Sequence, residues 1–258
     1  MTRAKTLKDV INYGTAPLVQ WEPAIGETLS EGKAHEDMLT HGAVAITLEH
    51  LKAKAVTGII ADESRLEIAV AEMAPSVQKL THLTLPGTFE KAARHTLDTA
   101  RQNSIPRIDR VRVTSMIRDI RKKSQDAVVM NMIFGCLATE TDHKNLQSIL
   151  CFAASLLKPN GSLLMVRPNP AGGAFSTYRC ATPADALEGG KDYDFIVNGL
   201  EEYGEMKNLY TPDDFLKAHM KAAGFHCSVT QDIMDRTLGA QKASEKPAFL
   251  LNICPKIK

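Results

Sequence analysis

From about residue 50 onward, short apolar runs alternate with longer stretches in which apolar residues recur every three or four positions. The first kind predicts strands buried on both faces, and the second predicts amphipathic helices. Strands are expected at 55–61 (AVTGIIA), 77–85, 109–116, 126–134 (DAVVMNMIF), 162–166, 225–230 and 248–253. Helices are expected at 37–51, with Met38, Leu39, Ala43, Ile46 and Leu51 along one stripe, and at 64–73, 89–101, 142–157 and 211–224. The punctuation agrees. Pro86-Gly87 ends the second strand, and Lys158-Pro159-Asn160-Gly161 stops a helix and leads at once into a strand. Thr211-Pro212-Asp213-Asp214 is a compact helix start, and Gly224 suits the left-handed residue that ends that helix.

Strand alternating with helix predicts an α/β fold, a doubly wound, mostly parallel sheet of seven strands. The last two strands have no helix-length connection between them, so they should pair antiparallel at one edge. Residues 1–50 form an N-terminal helical or irregular cap by this reading, broken by Gly14, Pro17, Pro23, Gly26 and Gly32 and able to serve a homodimer. Residues 51–258 form the main domain. The exception within it is 168–209, about forty residues rich in Gly, Pro, Tyr and Asp, which reads as a lid.

Composition removes several function classes. With 44% hydrophobic and 24% charged residues the chain is neither disordered nor collagen-like. Thirty-one Lys and Arg against thirty Asp and Glu leave +1, which gives no general electrostatic pull toward nucleic acid or membrane. No apolar run is long enough to span a bilayer. The start MTRAKTLKDVINYG lacks an apolar signal core, and five cysteines without a CxxC read as reduced thiols, so a cytoplasmic protein is expected. One local feature stands out. Residues 107–123 hold seven basic and two acidic side chains, which reads as a solvated face before it reads as an RNA site. His35, His41 and His50 do not fall one helical turn apart, so they are read as surface histidines and no metal is expected.

Several segments in order carry a family resemblance. Asp126-Ala-Val-Val-Met-Asn131, the helix ending LLKPNG, the strand SLLMV and then YTPDDFLKAHMKAAGF resemble the class I S-adenosylmethionine-dependent methyltransferases, closest to the small-molecule O-methyltransferase branch. That family has an "LkPGG" turn before its fifth strand and a "yT.eel...l..AGF" helix before its sixth. Thr84-Leu85-Pro86 falls on the branch's "DLP", and Ser115-Met116-Ile117 on its "DMF". The resemblance implies a Rossmann-like methyltransferase sheet, S-adenosylmethionine as cofactor and a small-molecule substrate.

The implied donor site departs from the family pattern. The glycine-rich turn after the first strand aligns with Gly58-Ile59-Ile60-Ala61-Asp62-Glu63-Ser64, so Ile60, Asp62 and Ser64 stand at the three glycine positions. A register with Gly58 as the first glycine recovers only that one, and Asp62 or Ser64 reads as the cap of the next helix. Thr84 stands where the family's ribose-binding acid lies, and Ser115 where the acid near the adenine amine lies. The implied cofactor residues are therefore Gly58, Ile60, Ala61, Asp62, Thr84, Ser115, Met116, Asn131 and Met132. The last two lie near the reacting methyl and Met116 against the adenine.

Substrate-facing residues would be Phe134, Tyr178, Arg179 and Tyr193. The branch's "HDW" histidine has no counterpart in Phe134-Gly135-Cys136-Leu137. His143 is the displaced candidate base, although a first-turn surface histidine is the plainer reading. Cys136 reads as a small packing thiol. Three functions follow: methyl transfer with a modified donor pocket, a binding module that has lost transfer, or another reaction in the same cleft.

Overall fold

The computed structural model describes residues 5–6, 41–59, 65–131, 142–168, 178–180, 192–197, 206–209, 213–226, 229–233 and 249–257. Its centre is a seven-stranded sheet. In chain order the strands are β1 (Ala55–Ile59), β2 (Lys79–Leu83), β3 (Val111–Thr114), β4 (Gln125–Asn131), β5 (Leu157–Pro168), then β9 (Val229–Ile233) and β10 (Phe249–Pro255). They lie in the order β3-β2-β1-β4-β5-β10-β9. The first five run parallel, while β10 runs antiparallel to both β5 and β9. The expected sheet and its antiparallel pairing at one edge are both present. The reversed strand is second from that edge.

Residues 41–50 form helix α1, followed by α2 (Arg65–Met73), α3 (Thr88–Gln102), α4 (Asp142–Leu156) and α5 (Asp213–Ala222). Alternation along the strands divides the apolar core in two. Ile59, Leu83, Val128, Met130, Leu163 and Met165 pack with Ile149, Leu150 and Ala153 of α4 and Met220 of α5. Val56, Leu80, Val111, Val129 and Leu164 pack with Val44 and Leu48 of α1, Leu66 and Val70 of α2, and Ala93 and Leu97 of α3.

Two expectations are corrected. The inward stripe of α1 is His41, Val44, Ala45 and Leu48, while Ile46 and Leu51 are exposed. The steps from 41 to 44 and 45, and on to 48, follow the helical period better than the stripe through Ile46. The sequence predicts no helix between β3 and β4, and no α-helix forms there. A 3-10 turn, Ile117–Asp119, makes the crossover, with Ile120 buried beneath the sheet. Segment 168–209 is more than loop: β6 (Tyr178–Cys180), β7 (Asp192–Val197) and β8 (Met206–Leu209) form a second, antiparallel sheet. Phe195, Ile196 and Val197 supply the β-branched and aromatic residues that favour strand.

The basic run has a structural use. Arg107 donates to the carbonyls of Ala71 and Glu72 at the end of α2, and Arg110 to those of Pro75 and Val77. Arg112 donates to the carbonyl of Asp119. These guanidinium groups satisfy carbonyls that helix ends and turns leave open. Helix α5 closes in the same economical way. Gly224 has φ 86°, its amide donates to Lys221 O, and that of Phe225 donates to Met220 O, with Met220 and Phe225 both buried.

One corner fixes the sheet. Asp126 accepts the amides of Lys54 (3.0 Å) and Ala55 (2.9 Å) on one oxygen and the Lys158 ammonium (2.6 Å) on the other. It thus joins the starts of β1, β4 and β5. Burial alone would raise its pKa. The bonds from Lys158 and the two amides outweigh that and hold it below the ordinary carboxylate value. Residues 158–161, expected as a turn, are instead the opening of β5, where the β4–β5 register shifts between Gln125 and Ala127. A Cβ on Gly161 would stand 3.1 Å from the carbonyl oxygens of both Gln125 and Asp126, so bare backbone is required.

Gly161→Ala is expected to cost about 1–3 kcal/mol in urea unfolding, because the atoms it meets are mostly backbone. Acid should loosen the same framework. The Glu49 pKa is lowered from 4.5 to about 2, first by its bond from Lys52 and then by the Ser76 amide, 2.7 Å away. A carboxylate with a depressed folded pKa contributes stability above its unfolded pKa and loses it as pH falls through the folded value. Stability should therefore fall from about pH 4.5 toward 2. Replacing Asp126 with Asn and Glu49 with Gln together should flatten that slope in pH-dependent unfolding.

Candidate functional site

A sheet of this strand order is expected to carry its crevice at the carboxyl ends of the first parallel strands. From β1 the chain goes by α2 to β2 on one side, while β4 and β5 lie on the other. Ligands in open α/β sheets gather at such a switch point. Residues at or just past these strand ends are Ile59, Thr84, Ser115 and Asn131. Except for Ile59, all are polar, and all four are buried.

At the switch itself, Asn131 Nδ2 lies 2.9 Å from Nε2 of His41 on α1. Both side chains are 4% exposed. The amide donates here, so the ring nitrogen accepts. Asn131 Oδ1 is buried and has no hydrogen-bond partner among the described residues. An acceptor left this way costs about 1–3 kcal/mol.

On the β2–β3 side, the Thr84 amide donates to Thr114 O (3.0 Å), while its fully buried hydroxyl has no partner among the described residues. Thr114 Oγ1 donates to Asp119 (2.7 Å) and accepts the Met116 amide (3.0 Å). Met116 also bridges to Thr6, and the Ile117 amide donates to Lys5 O, so the N-terminal segment borders this side. Glu90, in the first turn of α3, accepts from Arg94 at 2.6 and 3.2 Å. Burial would raise its pKa, but the Ser115 hydroxyl and Arg94 beside it keep it lowered. A carboxylate thus stands next to Ser115.

Below the crevice, Glu67 of α2 and His82 of β2 are both fully buried, with Oε1 and Nδ1 2.8 Å apart. Gly58 is the register neighbour of His82 on β1. It sits within the strand rather than in a turn beyond it.

The remaining residues singled out in the sequence are placed as follows. Ile60, Ala61, Asp62, Met132, Phe134 and Cys136 lie outside the described residues. His143 is in the first turn of α4. Tyr178 pairs with Val197, Arg179 with Ile196 and Tyr193 with Asn208 in the smaller sheet. Sequence reasoning missed Glu90, and it read His41 as a surface residue. The three- and four-residue steps from His41 to Val44 and Ala45 were the available signal for burial. His82, one step of two from Leu80 on the covered face, was legible by the same logic. Among the described residues no three His, Cys, Asp or Glu side chains gather as metal ligands, and no helix is long and apolar enough to cross a membrane.

No family model matches the chain, and no curated protein matches its sequence. Solved structures do. The chain is 14% identical to the 1,6-didemethyltoxoflavin-N1-methyltransferase of Burkholderia thailandensis, which was solved with 1,6-didemethyltoxoflavin and S-adenosylhomocysteine. That match has a TM-score of 0.54 and covers 95% of this chain and 92% of that one. The S-adenosylmethionine-dependent methyltransferase SibL, in its apo form, matches at 14% identity and TM-score 0.57 over 100% of this chain and 64% of its own. An O-methyltransferase family protein from Burkholderia thailandensis matches at 17% and 0.53 over 93% and 63%. The chain spans less than two thirds of the last two. With the strand order and the reversed β10, these likenesses define the fold: the chain has the Rossmann-like fold of the class I S-adenosylmethionine-dependent methyltransferases.

The Thr84 hydroxyl supplies a direct check on the site's polarity. Since it bonds nothing among the described residues, Thr84→Val should leave urea stability within about 1 kcal/mol of the parent or raise it. A loss of about 1–3 kcal/mol would show that the hydroxyl is partnered in the folded protein.

Proposed function

We propose that this protein binds S-adenosylmethionine in the crevice and transfers its methyl group to a small molecule, using a donor pocket of unusual composition. The observation that supports this most is the fold, which resembles those of solved methyltransferase structures. The polar atoms at the strand ends fit such a ligand. Thr84 Oγ1 and Asn131 Oδ1 are buried at two ends of the crevice without partners among the described residues, and Glu90 stands beside Ser115. Thr84 and Ser115 would meet the ribose and adenine, with Met116 against the base. Gly58, Ile60, Ala61 and Asp62 would follow the methionine part, and Asn131 and Met132 would lie near the methyl.

The ligand supplies an activated methyl on a sulfonium, transferred by in-line displacement. The chain's part is to align the acceptor and exclude water, which can supply most of the rate without a strong base. Phe134, Tyr178, Arg179 and Tyr193 would face the acceptor, with segment 168–209 closing over it. Residues 1–50 would cap the domain and serve a homodimer in the cytoplasm. The catalytic base stays unassigned, with His143 a weak candidate.

A second reading has one specific support. Ile60, Asp62 and Ser64 at the glycine positions, with Thr84 and Ser115 at the acid positions, are what a methyltransferase fold that has lost transfer and become a binding or partner module would show. Titration calorimetry separates the two. S-adenosylhomocysteine and S-adenosylmethionine should both give saturable heat below millimolar concentration. No heat at millimolar ligand overturns donor binding and leaves the partner-module reading.

A further inference from the structure

We propose that Asn131 is the acceptor for the α-ammonium group of the donor, and that His41 is the positioning residue that aims it. The inference rests on the donor-binding reading above and adds two residue roles to it. It starts from a buried polar pair with one end unused. Asn131 Nδ2 donates to His41 Nε2 at 2.9 Å, and Asn131 Oδ1 has no partner among the described residues.

An amide that spends its N–H on a histidine is no longer free to turn. Its oxygen is held as an acceptor, and the bond on its nitrogen makes that oxygen a better one. The group it awaits is therefore an N–H or O–H donor. A charged donor gains most, because hydrogen bonds to ionised groups are the stronger kind and burial reduces screening.

Position favours the ammonium over the acceptor substrate's hydroxyl. Thr84 and Ser115, at the ends of β2 and β3, face the nucleoside in the reading above. Asn131 ends β4, which stands two strand spacings from β2 in the order β2-β1-β4. Two spacings are about 10 Å. That is comparable with the reach of S-adenosylmethionine from its ribose hydroxyls to its α-nitrogen. His41 comes from α1, which packs on the same face through Val44, Ala45 and Leu48, so the ring is held by core contacts. This gives the N-terminal part of the chain a part in donor recognition.

The test compares two probes on the full chain by calorimetry: S-adenosylhomocysteine, and 5′-methylthioadenosine, which lacks the amino-acid end. Asn131→Leu should weaken S-adenosylhomocysteine about tenfold or more and leave 5′-methylthioadenosine within twofold. His41→Leu should shift the ratio in the same direction by a smaller factor. His41→Gln offers an oxygen of similar reach to the Asn131 N–H and should keep the parent ratio. A structural role would weaken both probes equally. Equal losses, or unchanged S-adenosylhomocysteine affinity in Asn131→Leu, overturn the inference while donor binding stands. Failure of the parent protein to bind S-adenosylhomocysteine overturns both.

Discussion

The sheet depends on how its three central strands begin. Asp126 holds the amides that open β1 and the lysine that opens β5, while Gly161 lets the β5 backbone lie against the carbonyls of β4. Because parallel strands that start together finish together, this amino-terminal joint sets the stagger at the opposite edge. Ile59, Asn131 and Val166 end up as neighbours for that reason. The register Ile59 to Met130 and Asn131 to Val166 is its direct record. The crevice is thus built from below. Its floor is set by contacts about a strand length away.

Both faces of the sheet hold buried polar side chains. Against α4 and α5, Thr57 and Thr81 alternate into the apolar core beside Ile59 and Leu83. On the face covered by α1, α2 and α3, the buried polar side chains include His41, Glu67, His82 and Asn131. Buried polar groups are costly unless paired, and removing one partner of a buried ion pair costs about 3–5 kcal/mol. Their pairing explains their tolerance, with His41 on Asn131 and Glu67 on His82. What packing alone does not explain is that each pair bridges a helix to a strand that ends at the crevice. That placement ties the helices on this face to the strand ends above them.

Much of the architecture was legible in the residues. The strands at β1, β4 and β10 and the helices α3 and α4 followed from period and punctuation, because burial on both faces leaves an unmistakable apolar run. The KPNG segment was read as a turn and proved to be a close backbone approach, information that lies in the neighbouring strand. The arginines before and within β3 serve carbonyls at a distance, which no local pattern records. The site was less legible. Thr84, Ser115 and Asn131, which stand at or just past strand ends, were singled out through the family resemblance. His41 and Glu90 were not, because their significance comes from what lies across from them, ninety residues away in one case.

The wedge of β10 between β5 and β9 has a consequence for how the chain assembles. Strand β9 precedes β10 in sequence, yet it meets the large sheet only through β10. Order of synthesis and order of docking are therefore inverted at this edge. Until residues 249–255 arrive, β5 presents an open row of backbone donors and acceptors along Ser162–Val166, and β9 has no strand to join. Such non-local pairing is slow, and an open edge invites pairing with other chains. Time spent before β10 docks is the interval in which this protein is most prone to mispair. A nascent chain held at the ribosome short of residue 249 would carry that hazard in full.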